Sequence, residues 1–156
     1  MNLSSLDEIE RRKAIDEMLK CIDTCKEARV STVLVTSGAR PKNELRNEEA
    51  FLVFQNSLEE ICTYAGKDVS ITLEPGDNNV SFFQLIGPTG LATRLMRQMH
   101  QRGIDNLALT MDISHIALLE EKITPSLKKA MPYCSHIHLA NCILDKTDLL
   151  YGDKHP

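Results

Sequence analysis

Apolar positions along the chain follow two periods that take turns. Short β-branched runs, Val30 to Val35, Val69 to Leu73, Leu107 to Met111 and Ser135 to Leu139, predict buried strands. Between them lie stretches at helical spacing. Leu6, Ile9, Met18, Leu19, Ile22 and Cys25 predict a helix to about Ala28, opened by the capping-box form Ser5-Leu6-Asp7-Glu8. Phe51, Phe54, Leu58, Ile61 and Ala65 predict a second helix, capped by Asn47 and ended by Gly66. Leu91, Leu95, Met96 and Met99 mark a third, from Thr89 to Arg102, stopped by Gly103. Thr124-Pro125 predicts a fourth, with threonine as cap and proline at the first helical position.

The spacing of the strands is itself informative. Val33 and Ile71 are 38 residues apart, Ile71 and Leu109 another 38, and Leu109 and Ile137 are 28 apart. Strand and helix repeating at this interval predict an α/β fold, a parallel sheet built as part of a (β/α)8 barrel. Four units make half of such a barrel, so residues 1–156 read as a single, incomplete barrel domain. A doubly wound open sheet fits the alternation as well. No glycine-rich phosphate loop follows any strand, however, which argues against a nucleotide-binding version.

Composition narrows the classes without choosing among them. The chain has 42% hydrophobic and 26% charged residues and a net charge of −4, the balance of a folded domain. No apolar run approaches the roughly 20 residues of a membrane span, and no signal-peptide pattern opens the chain, so a cytoplasmic address with no membrane partner is expected. The acidic balance disfavours a phosphate-backbone partner, and Arg94, Arg97 and Arg102 on one helix read as a solvated face, so no nucleic acid is expected. The five cysteines, Cys21, Cys25, Cys62, Cys134 and Cys142, contain no CxxC and read as buried thiols.

Chemistry-bearing residues collect where the strands end. Leu73-Glu74-Pro75, Met111-Asp112-Ile113-Ser114-His115 and His136-Ile137-His138 each close a β-type run, the place where parallel α/β folds keep their sites. Glu74, Asp112 and His138 supply two carboxylates and an imidazole, a set suited to Mn²⁺, Mg²⁺, Co²⁺ or Zn²⁺. His136 and His138 are two apart on a strand and share a face, so one can ligate while the other supports it. The bland readings are a turn glutamate before Pro75, a helix-capping Asp112 and a packed His115. Four such signals in register with four units favour the metal.

With these motifs and the closing Tyr151-Gly152-Asp153-Lys154-His155-Pro156, the chain resembles the sugar phosphate isomerase/epimerase family, the xylose-isomerase-like TIM barrels. The resemblance runs from the first helix to the end. It implies Glu74, Asp112 and His138 as metal ligands, and His115 as a catalytic residue that contacts a substrate oxygen or supports the metal. It also implies a sugar or sugar phosphate substrate. In such enzymes the ion chelates adjacent sugar oxygens and stabilises an ene-diolate, while a carboxylate such as Glu74 moves the proton on the neighbouring carbon. His136, Asn141, Asp153 and His155 are further candidates to contact substrate or hold ligands.

The family's fourth carboxylate, a glutamate on the last strand, has no counterpart before Pro156, and the first strands have none either. A non-catalytic truncated barrel is therefore one alternative. The related apurinic-site endonucleases share much of the pattern and are a second alternative. They add a histidine on an earlier strand, which Val35-Thr36-Ser37-Gly38 lacks. Unpaired edges near Val33 and Ile137 predict self-association into a homo-oligomer.

Overall fold

A computed structural model describes residues 1–154. Its elements run in the order α1 (Glu8–Glu27), β1 (Thr32–Val35), α2 (Asn47–Ala65), β2 (Ser70–Leu73), α3 (Thr89–Gln101), β3 (Leu107–Asp112), α4 (Ile113–Leu118), α5 (Ile123–Ala130) and β4 (Cys134–His138), with 3₁₀ turns at Glu44–Arg46 and Met131–Tyr133. The strands form one sheet in chain order, and every pairing is parallel. Four parallel strands with a helix in each connection are a portion of a (β/α)8 barrel, as the 38-residue rhythm predicts.

Pairing and alternation sort the strand side chains onto two faces. Val33, Val35, Ile71, Leu73, Leu107, Leu109 and Met111 are all buried in one cluster with the helices. On α2, Phe51, Phe54, Leu58 and Ile61 meet them, each with 1% exposure or less. Burying a side chain of that size contributes about 1.5–3 kcal/mol, so this helix–sheet layer supplies most of the cohesion. The other face carries Ser70, Thr72, Ala108, Thr110 and His136, small or polar groups below the strand ends.

One irregularity decides what β4 presents. Leu109 pairs with Cys134, but the next residue, Thr110, pairs with His136, so Ser135 is an extra residue in β4. A one-residue slip turns a strand over. Without it Asp112 would face Ile137. With it, Asp112 pairs with His138.

Several sequence expectations shift. Asp7, not Ser5, caps α1, its carboxylate accepting from Ile9 N and Glu10 N, while Ser5 Oγ is the bonding partner of Glu10. Ile9 is not on the inner face but 71% exposed; Ala14 and Ile15 fill that role. Asn43 caps the 3₁₀ turn before α2, and Asn47 is already helical. The fourth predicted helix is α5, which starts at Ile123, before Thr124, with no side-chain cap. Helix α4 was not expected at all, because six residues are too few for periodicity to show. Of the thiols only Cys62 is buried and Cys21 is exposed, so the reading of the cysteines as buried holds for one of five.

Candidate metal centre

Each functional side chain is positioned by the element that ends beneath it. Glu74 follows β2, where its N–H still pairs with Val35 O at 2.9 Å, and Pro75 favours its extended backbone. Asp112 is the last residue of β3 and also the N-cap of α4. His115 lies one turn into α4, which brings it back over Asp112. His138 ends β4, beside Asp112 in the register set by Ser135.

The side chains converge. Glu74, Asp112 and His115 each offer a ligand atom, and these atoms lie within 4.8 Å of one another. His138 Nδ1 is 2.7 Å from Glu74 Oε1 and 4.0 Å from Asp112 Oδ2. Asp112 and His115 are buried and Glu74 nearly so, with 14% of its side chain exposed, whereas His138 is open to solvent. The two readings of Asp112 coexist, one on each oxygen. Oδ1 accepts from Ser114 N at 2.7 Å and Ser114 Oγ at 2.6 Å, and Oδ2 is the oxygen turned to His138.

This donor set fits a divalent ion. Ligand atoms around one ion lie up to about 4–5 Å apart at bond lengths of about 2.0–2.6 Å. Among the described residues, no lysine or arginine forms an ion pair with Glu74 or Asp112, and the imidazole of His138 is the group that faces them. His115 Nδ1 is buried without a hydrogen-bond partner. Such an atom normally costs about 1–3 kcal/mol, and coordination or a proton-bearing ligand is what relieves it.

The remaining expected residues divide. Asp153 joins the site from the closing loop: its Oδ1 is 3.3 Å from Ser114 Oγ, and its N–H donates to Ser81 Oγ at 3.2 Å. His136 lies lower on β4, with Nδ1 2.9 Å from Ser135 Oγ, and is not part of the converging group. Asn141 is exposed on the loop after β4. His155 lies outside the described residues.

Sequence reasoning passed over four contributors. Ser114 binds the carboxylate of Asp112; the spacing Asp112-Ile113-Ser114 is a local capping pattern that could have shown it. Cys142 stands near the carboxylates, and burial followed by the charges of Asp153 and Asp112 pushes its thiol pKa up. Phe82 packs edge-on against His115, and Asp77 holds the loop that carries it. Nothing local in the sequence marks either as a site residue.

Comparison with known proteins matches this architecture. The chain belongs to the family described as xylose isomerase-like TIM barrel, whose model matches residues 1–154. No curated protein sequence matches it significantly. Among solved structures it is similar to a D-tagatose 3-epimerase-like protein, at 22% identity and a TM-score of 0.80, covering 99% of this chain and 55% of that one. It is also similar to 3-keto-D-glucoside 4-epimerase, YcjR, from E. coli, at 14% identity and a TM-score of 0.73, covering 90% and 55%. A third is the IolI protein with a bound zinc atom, at 22% identity and a TM-score of 0.69, covering 83% and 44%. The chain thus spans about half the length of these relatives, and at such identities the likeness is one of fold.

Proposed function

We propose that this chain carries the metal-holding portion of a divalent-metal-dependent isomerase or epimerase acting on a sugar or sugar phosphate. The observation that carries the reading is the convergence of Glu74, Asp112 and His115 within 4.8 Å, with His115 Nδ1 unpartnered, at the carboxyl ends of barrel strands. Membership of the xylose isomerase-like family and the sugar epimerases among its structural neighbours support it.

Glu74, Asp112, His115 and His138 would hold the ion. A bound divalent ion supplies Lewis-acid charge that makes the proton on a carbon next to a carbonyl easier to remove. Glu74 would take that proton. His138 Nδ1 holds its Oε1 at 2.7 Å, and its carboxylate is open enough to reach a bound molecule. Returning the proton to the other face of the carbon gives an epimer, and to the neighbouring carbon an isomer. Ser114 fixes the carboxylate plane of Asp112, and His138, the most open of the group, would meet the incoming substrate.

The test is solvent exchange. In D₂O with Mn²⁺, a panel of ketoses and their phosphates is followed by NMR for deuterium at the carbon beside the carbonyl. Exchange that disappears in Glu74→Gln supports the reading. Mn²⁺ binding without exchange on any sugar identifies the chain as the non-catalytic alternative, and cleavage of an abasic duplex would point to the phosphodiesterase.

A further inference from the structure

The mouth of the cluster has an aromatic wall. The ring of Phe82 stands edge-on to His115, 5.6 Å between centroids, yet Phe82 remains 49% exposed. An exposed aromatic on a loop is ordinarily mobile. This one is fixed from beneath. Asp77 is fully buried, and its carboxylate accepts from Val80 N at 2.7 Å, Ser81 N at 2.8 Å and Phe82 N at 3.2 Å. A buried carboxylate is tolerated only where donors meet its charge, and here three consecutive main-chain N–H groups do so.

The loop is tied on its other sides too. Gln84 N donates to Asp77 O at 2.9 Å and Arg40 N to Phe83 O at 2.8 Å, and Ser81 Oγ receives Asp153 N. Phe83 adopts φ 52°, a left-handed conformation that bulky residues rarely take, and these bonds sustain it. Arg40, whose N–H meets Phe83 O, turns its guanidinium to Glu44. The loop 76–84 and the segment 112–119 contain no lysine or arginine. At the start of α3 the carboxylate of Glu121 is already seated, accepting from Thr89 N at 3.0 Å and from Thr89 Oγ1 at 2.5 Å.

We propose that Phe82, positioned by Asp77, is the specificity-determining surface of the site, its ring carrying the C–H face of an uncharged sugar. The inference rests on the sugar reading above and names the surface that recognises the substrate. A sugar ring or extended polyol presents C–H bonds on one side and hydroxyls at its edge. The electron-rich ring face suits the C–H side, leaving the hydroxyls to Glu74, Asp112 and His115. Asp77 acts through the loop and is a positioning residue.

Titration calorimetry on the full chain with saturating Mg²⁺ tests this, using D-tagatose as the neutral probe and D-tagatose 6-phosphate as the phosphorylated one. Phe82→Ala is expected to weaken D-tagatose about five- to tenfold, and Phe82→Tyr to stay within about twofold, each measured at saturating Mg²⁺. Asp77→Asn should also weaken it, and F82A/D77N should bind no worse than F82A, because both act through one ring. D-tagatose should bind the wild-type chain more tightly than the phosphate ester. The proposal is overturned if F82A binds D-tagatose as the wild type does, if the metal-loaded protein binds no D-tagatose, or if the ester binds more tightly. The wild-type and F82A comparison repeated without metal reads the shelf alone, so a protein that takes no metal contradicts the metal reading separately.

Discussion

His138 Nδ1 lies 2.7 Å from Glu74 Oε1, although the two residues are 64 positions apart and their strands are not neighbours. Strand β3 runs between them and contributes Asp112 to the same point. Adjacent strands lie about 4.8 Å apart, so β2 and β4 are separated by roughly twice that. The two side chains cover this gap between them by reaching toward each other across the carboxyl end of β3.

Ser114 is the first place to test the centre from outside its ligands. Its hydroxyl and N–H both bind Asp112 Oδ1. Ser114→Ala should lower stability by about 1 kcal/mol in urea unfolding, the usual loss for a hydrogen bond of this kind. Mn²⁺ affinity should fall about tenfold or more, because partners that orient a ligating carboxylate typically matter that much. Unchanged Mn²⁺ affinity would show that Asp112 needs no such support.

Cys62 sets a pH dependence of stability. Burial pushes its thiol from 9.0 up to about 12. A folded pKa above the unfolded one stabilises the fold fully below pH 9.0, and that contribution is lost as pH rises toward about 12. The slope attributable to this group is about 1.4 kcal/mol per pH unit within that window. Urea unfolding between pH 8 and 10.5 should show the decline begin, and Cys62→Ala should flatten it while lowering stability at neutral pH. Equal slopes in the two proteins would remove the thiol from the account.

Gly152 tests how the closing loop reaches the site. Its φ is 102°, and a Cβ there would stand 2.6 Å from Ser81 Oγ. Gly152→Ala should displace Asp153 from Ser81 and Ser114. The expected result is faster amide exchange across 143–153 and weaker Mn²⁺ binding, with the melting temperature lowered by only a few degrees. An exchange pattern identical to wild type would mean that the loop tolerates the shift.

The sequence made much of this readable, and the limits were physical. The four strands and three long helices follow from β-branched runs and 3.6-residue periodicity, which the burial of Ile71, Leu109, Phe54 and Leu95 bears out. Helix starts were less legible, because Asp7 and Asn43 compete with nearby Ser5 and Asn47 for the same capping role. At the site, the strand-end positions of Glu74, Asp112 and His138 were visible from spacing alone. The extra residue Ser135, which turns His138 toward Asp112, was not, since register depends on the partner strand. Phe82 and Asp77 were hidden for a similar reason: a polar loop discloses its shape only through the bonds that hold it.

Self-association is the expectation most exposed to refutation. Strands β1 and β4 have no outer neighbour among the described residues. On β4 and just after it, Ile137 and Leu139 are exposed, and Leu34 is exposed on β1. Open parallel edges with apolar flanks favour pairing with a second copy. Sedimentation equilibrium at micromolar concentration should give a dimer mass, reduced by Ile137→Lys. A monomer at every concentration would refute it.

The central claim is that these side chains hold a divalent ion, and Mn²⁺ titration followed by electron paramagnetic resonance tests it most directly. The account predicts one site in the wild-type chain, binding weakened at least about a hundredfold in Asp112→Asn and in His115→Ala, with both variants still folded by circular dichroism. Wild-type protein that leaves Mn²⁺ free in solution, or variants that bind it as tightly as the wild type, would contradict it.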